Sequence, residues 1–304
     1  MISIGLFVLI SLAFLSSFGG RILSKLCSNA VVSNSRDKYA LFVVANGLVA
    51  CVFFFISGGF HIAINLPTAL YSLLYSAIVI FSLVFNLIIY KLIDIASLTV
   101  ILSALGLITT SSVGMMLFNE PPEYKNLLRI AIMLACVFLV FLDGKRHTSE
   151  NSSSANKKFT AKTALTLLAL LTLNCASTIV CKYFSADVRV TDENSYFFFT
   201  NVFLVLGGIA VVISDLFLHP KDVKNALDVL RPSNLVSIAG NTVCSNIGSL
   251  VGLLLIAQMN VSVYTPISSA IGILAGFVAS LCFREKVGAF SYIAALGAIV
   301  AVII

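Results

Sequence analysis

Charge is what this sequence has least of. Of its 304 residues only 11% are Asp, Glu, Lys or Arg, while 59% are hydrophobic. Soluble domains carry about 25% charged residues, and a soluble fold this apolar would expose far more apolar surface than water tolerates. The shortage of charge therefore excludes a soluble domain and makes lipid the main solvent. The three histidines, His61, His147 and His219, lie far apart at loops, and none of the seven cysteines forms a CxxC pair. A zinc site needs clustered ligands, so no metal or other cofactor is expected and the cysteines read as free thiols. No Asp or Glu falls at the middle of an apolar stretch: Asp94, Glu120, Asp143, Asp215 and Glu285 all lie near the ends of such stretches. Without paired carboxylates or a metal cluster, a membrane-embedded enzyme has nothing to work with. No basic segment precedes the first apolar run, which begins at Ile2 and reads as a retained helix, not a cleavable leader. The net charge of +6 is modest. It belongs to cytoplasmic loops and not to a nucleic-acid partner.

What the sequence has in abundance is long apolar runs. A helix needs roughly 20 apolar residues to cross a bilayer. Ten such spans are expected, near 2–20, 39–60, 69–90, 95–117, 125–142, 162–184, 195–218, 234–257, 261–283 and 287–304. They lack the apolar–polar alternation of a membrane barrel, so they are helices that satisfy their own backbone groups. One long polar segment, Asp143 to Lys162, is rich in Ser, Asn and Lys. It reads as a flexible linker. The organisation is thus a first five-helix part over 1–143, a polar linker over 144–161 and a second five-helix part over 162–304. A shorter polar segment, His219 to Asn234, spaces Val223, Ala226, Leu227 and Leu230 as a short interfacial helix would.

The two parts match each other. At an offset of 157, Ile22 meets Ile179, Lys25 meets Lys182 and Tyr39 meets Tyr196. After eight extra residues in the second part the offset is 165: Pro67 meets Pro232, Ser72 meets Ser237, Ser97 meets Ser262, Ser103 meets Ser268, Phe118 meets Phe283 and Glu120 meets Glu285. With an odd number of helices per repeat, the second copy enters the membrane from the opposite side. Such inverted repeats are a hallmark of alternating-access carriers, which hold their solute near the midplane between the repeats.

The ends of the fourth and ninth spans carry a more specific signal. There a small, polar helix closes on an acidic residue and a short apolar helix follows, in LFNEPPEYKNLLRIAIMLACVFLV and LCFREKVGAFSYIAALGAIVAVII. On these segments the chain resembles the ten-helix EamA-like branch of the drug/metabolite transporter superfamily, over nearly its whole length. The family commonly shows Gly-Glu at this point, where the chain has Asn119-Glu120 and Arg284-Glu285. The resemblance implies an all-α integral membrane fold of two inverted five-helix repeats around a central cavity. It also implies carriage of metabolites such as amino acids, nucleobases or drugs.

Charge also suggests an orientation. Fifteen of the nineteen Lys and Arg residues, Arg21 and Lys25 among them, fall in odd-numbered loops, which are therefore expected in the cytoplasm. Both termini would then face outward, whereas the resemblance implies cytoplasmic termini. Short loops point to a bacterial cytoplasmic membrane.

Polar residues inside spans are costly unless they face a cavity or one another. The eighth span is richest, with Asn241, Thr242, Ser245, Asn246 and Ser249 within about 140° of arc. The ninth contributes Ser268 and Ser269, the fourth Ser103, the sixth Asn174 and Thr178, and the third Tyr75. Stripes of Ser, Thr and Gly also serve close helix packing, and Tyr serves core packing, so each candidate has a purely structural alternative. Glu120 and Glu285 are candidates for coupling or gating, as are the repeat-related Lys25 and Lys182. For the lysines, snorkelling to the interface is the alternative. The expected function is alternating-access transport of a small neutral or zwitterionic metabolite, such as an amino acid or nucleoside, in the direction of export, by a monomer or homodimer in the bilayer. A multidrug or cation efflux carrier would want a fixed intramembrane carboxylate, which is missing. A channel would want a charged ring, and a scaffold has no need of a polar stripe.

Overall fold

A computed structural model describes residues 4–31, 36–93, 97–103, 161–218, 226–258, 261–283 and 288–303, together with isolated positions between 95 and 139. Among the described residues the chain is all-helical. Eight α-helices follow in order: α1 (Ile4–Val31), α2 (Arg36–Ser57), α3 (Leu66–Leu92), α4 (Ala161–Ala186), α5 (Glu193–Leu218), α6 (Pro232–Gln258), α7 (Val261–Cys282) and α8 (Ala289–Ile303). The stretch 97–103 is helical as well. Helices α1 to α6 each contain a segment long and apolar enough to cross a membrane, and α7 holds a shorter apolar segment, Ile267–Cys282. Every one of the eight exposes large apolar side chains, for example Phe7, Val52, Phe81, Leu165, Phe217, Val236, Leu281 and Leu296. Ser28, Thr68, Ser72, Thr99, Ser195 and Ser280 are fully buried. Large apolar side chains facing outward, with buried Ser and Thr among the apolar core residues, are the pattern of helices packed in lipid. The chain is a multi-pass membrane protein in its helix lengths and surface.

One sequence expectation changes. The first span does not stop at residue 20: α1 continues as an unbroken helix to Val31, and its apolar segment covers Phe7–Asn29. Arg21 and Lys25, expected in a loop, are therefore inside a span. The reason is visible in the chain: Ile22, Leu23, Leu26, Cys27 and Val31 carry the apolar helical spacing straight past the arginine. Of the segment before α6 the structure describes Ala226 onward: Leu227–Leu230 form a 3-10 turn, Ala226 before it and Val229 within it are buried, and Leu227 is half exposed. The 144–160 linker lies outside the described residues.

By compactness the chain forms two units, and each gathers stretches from both halves of the sequence. One comprises Ile22–Lys91 and Ala176–Leu250; the other comprises Met1–Arg21, Leu92–Cys175 and Val251–Ile304.

Among the described residues of the first of these units, α2 and α5 form the most extensive helix pair, and they run antiparallel. Contacts descend α5 as they climb α2: Gly47 lies against the Asn201 carbonyl, the Cys51 thiol points at the Phe198 carbonyl (3.9 Å), Phe54 stacks on Phe197 (5.1 Å between ring centres) and Ser57 donates to Asn194 Oδ1 (2.9 Å). Two glycines let the backbones approach. A Cβ at Gly47 would stand 2.6 Å from Val205 and 2.8 Å from Leu204, and a Cβ at Gly208 would stand 2.7 Å from Val44 and 3.3 Å from the Ala40 carbonyl. The contact is reciprocal: each glycine meets the stretch about one turn before the other glycine. Cys27, Val31, Phe42, Val43, Leu87, Leu204, Val229 and Ile238 form the apolar core beside this pair.

In the other unit, α7 packs on the 97–103 helix through Gly276, where a Cβ would collide with Thr99. It packs on α8 through Phe277 and Tyr292, whose rings lie 5.6 Å apart. Gly297 of α8 lies against the Cys136 thiol.

Candidate functional site

The unit built on α2, α3, α5 and α6 carries a polar clasp at the loops joining α2 to α3 and α4 to α5. Asn65 caps α3 by accepting from the Thr68 N–H (2.9 Å), and its amide donates to the Arg189 carbonyl. Asp192 caps α5 by accepting from the Ser195 N–H (3.0 Å) and hydroxyl (2.7 Å). Such side-chain acceptors satisfy the open N–H groups of a first turn. The Ala63 N–H donates to Ser195 Oγ at 3.0 Å and the Thr191 N–H to Thr68 Oγ1 at 2.9 Å, which ties the two loops together. α2 ends in a left-handed turn at Gly59 and Phe60, with φ of 63° and 65°. Within the α4–α5 loop, Asp187 accepts two hydrogen bonds from the Arg189 side chain (2.9 and 2.8 Å) and one from its N–H (3.0 Å). The hydrogen bonds of the Arg189 side chain, then that of its N–H, hold the Asp187 carboxyl down at about 2.

Beneath the clasp lies an aromatic cluster. Phe184 stacks on Tyr196 at 4.1 Å, Tyr71 meets Phe184 edge-on at 6.0 Å, and Tyr75 packs on Tyr196 at 5.5 Å and on Phe197 at 6.2 Å. The Cys181 thiol lies beside Tyr75 and Tyr196. Rings at these separations pack with a specific mutual geometry beyond their area alone.

The same unit holds the eighth-span residues on α6. Asn241 is buried and its Oδ1 accepts from the Ser24 hydroxyl of α1 at 2.8 Å. Thr242 is buried and donates to its own helix at the Ile238 carbonyl, 2.8 Å. Ser245 is exposed, and its carbonyl accepts from Ser249 at 3.0 Å. Asn246 is half-buried, and its amide nitrogen is buried without a hydrogen-bond partner. An amide nitrogen has two hydrogens to place, and this one is left without an acceptor. Tyr75 and Thr178 are half-buried here, as is Lys182. The Lys25 ammonium donates to the Tyr90 carbonyl at 2.8 Å, and Ser28 donates to the Leu87 carbonyl at 2.7 Å. Both satisfy carbonyls in the last turns of α3, where a cation also suits the helix dipole.

The other unit holds the remaining candidates. Ser269 of α7 is buried and donates to the Ser103 carbonyl at 3.4 Å. Ser268 and Asn174 are exposed and Ser103 is half-buried. Glu120 and Glu285 lie outside the described residues. Among the described residues, no three His, Cys, Asp or Glu side chains converge to hold a metal.

Sequence reasoning missed Ser24 and Arg21, which were assigned to a loop, and gave Tyr196 weight only as a repeat marker. The unbroken apolar spacing from Ile22 to Val31 was the available signal for the first two. In the first unit the structure joins Asn241 to Ser24 and Tyr75 to Tyr196; in the second it joins Ser103 to Ser269.

No protein-family model matches this chain, and no curated protein matches it significantly.

Proposed function

We propose that this chain is a secondary transporter that carries a small zwitterionic or neutral metabolite across a cell membrane by alternating access. Its ten spans form two inverted five-helix repeats, as in the EamA-like branch of the drug/metabolite transporter superfamily that it resembles. The observation that carries the reading is the antiparallel, reciprocal packing of α2 on α5 through Gly47 and Gly208. These helices correspond in the internal repeat, since Tyr39 and Tyr196 are each the fourth residue of their helix. Corresponding helices of an inverted repeat run in opposite directions across the membrane. The make-up of the compact units supports the same reading, because each pairs a stretch of the first half with its counterpart from the second. Solute binding draws on the polar face of α6, where the Asn246 amide is unpartnered.

The test is flux in proteoliposomes with labelled amino acids, nucleosides and small cations, comparing the native chain with the Asn241→Leu/Asn246→Leu variant. Saturable uptake that the variant loses is the expected result. Flux that rises linearly with solute concentration indicates a channel, and flux unchanged in the variant removes α6 from the binding site.

A further inference from the structure

Arg21 is an arginine deep inside an apolar helix. The apolar span of α1 is Phe7–Asn29, so Arg21 lies about 4.5 Å past its midpoint at 1.5 Å per residue. The hydrocarbon half-thickness is about 15 Å. Some 10 Å of depth therefore remains to the nearer headgroups, about the limit of what snorkelling by one side chain covers. Intramembrane charges almost always pair with another charge or with backbone carbonyls, and they mark solute pathways. Arg21 does neither among the described residues. Its Nε is buried without a hydrogen-bond partner.

The guanidinium meets a second donor at a glycine. A Cβ at residue 272 would stand 3.1 Å from Arg21 Nη2 and 3.3 Å from Ser103 Oγ. Glycine on α7 therefore lets a guanidinium and a hydroxyl pack close against the same point of that helix. Ser269, one turn earlier on α7, holds the Ser103 carbonyl at 3.4 Å and so fixes the 97–103 helix against α7. A guanidinium binds planar oxyanions by paired, charge-assisted hydrogen bonds. One fixed positive charge balances one negative charge, which favours a carboxylate over a phosphate dianion.

We propose that Arg21 and Ser103, meeting over Gly272, bind the carboxylate of the transported solute. The proposal rests on the transporter reading and narrows it: the solute is a zwitterion or a monocarboxylate, and an uncharged nucleoside is excluded. The empty protein then carries an unpaired charge in its interior, which destabilises it until solute arrives.

The test uses the full chain purified in detergent. Thermal unfolding is followed with L-amino acids and with monocarboxylates from acetate to benzoate, each against its amide. At least one carboxylate should raise the unfolding temperature, and its amide should bind about 10- to 100-fold more weakly. Arg21→Gln should abolish the carboxylate effect and raise the unfolding temperature of the empty protein; Arg21→Lys should restore part of the binding. Gly272→Leu, which forces the guanidinium and the hydroxyl away from α7 without removing either, should also abolish the effect. The proposal is overturned if carboxylates and amides act alike, if no carboxylate acts, if binding survives in Arg21→Gln, or if that variant is less stable when empty. Proteoliposome flux separates the two readings. Carboxylate binding without any flux keeps the Arg21 site and removes the carrier. Saturable flux unaffected by Arg21→Gln keeps the carrier and removes the Arg21 site.

Discussion

The Ser24 hydroxyl of α1 donates to Asn241 Oδ1 of α6 at 2.8 Å, joining residues 217 positions apart. Side-chain hydrogen bonds between membrane helices contribute about 0.6 kcal/mol on average and up to about 1.7. A double-mutant cycle of Ser24→Ala and Asn241→Leu, read by reversible unfolding in mixed detergent, should return a coupling in that range. Additive single effects would show that the two side chains do not share a bond.

The α2–α5 contact makes Gly208 and Gly47 sensitive to bulk. Gly208→Leu should destabilise the protein by about 1–3 kcal/mol, the usual cost of overpacking. Gly276→Leu should do the same through Thr99. Gly106→Ala is the control, since a Cβ there meets nothing within 4 Å, and it should be neutral or slightly stabilising. Equal tolerance at all three positions would contradict the close approach of the helices.

The Asp187–Arg189 contact sets a pH dependence in the α4–α5 loop. The folded-state value of Asp187 is lowered from 3.8 to about 2, so the native state favours the ionised carboxylate. The resulting stability is fully present above the unfolded value and is lost as pH falls through about 2. The difference in unfolding temperature between the native chain and Asp187→Asn should stay constant above about pH 5 and shrink below about pH 4. Because the Arg189 side chain is 74% exposed, salt should reduce the difference further. A difference that changes between pH 6 and pH 8 would point to some other group.

The length of α1 is open to chemical test through Cys27, which is 1% exposed against the core of its unit. In a variant retaining Cys27 alone, a membrane-permeant maleimide should react at least about tenfold more slowly before denaturation than after it. A variant retaining only the exposed Cys282 should show a much smaller difference. Rapid labelling of Cys27 in the folded protein would return the segment after residue 20 to a loop.

The helices were legible in the sequence because their apolar runs are long and the breaks between them carry charge, proline or glycine. The end of α1 was not, since a lone arginine in an apolar run reads as a loop unless the spacing beyond it is followed to Val31. Asn241 stood out as an amide inside a span, but Ser24 did not, because its role depends on packing across 217 positions. Lys25 was expected in the loop after the first span, as the repeat counterpart of Lys182. Its Tyr90 carbonyl partner depends on how α3 lies against α1, which no local pattern encodes. The aromatic cluster around Tyr196 likewise draws on α3, α4 and α5 together.

The most direct test of the transporter reading is solute exchange in proteoliposomes. Vesicles are loaded with the unlabelled solute that supports saturable uptake, and entry of the labelled form is timed against empty vesicles. Alternating access predicts faster entry, with transient accumulation, into the loaded vesicles, because each return of the carrier brings a labelled molecule inward. Entry at the same rate into loaded and empty vesicles would contradict the account.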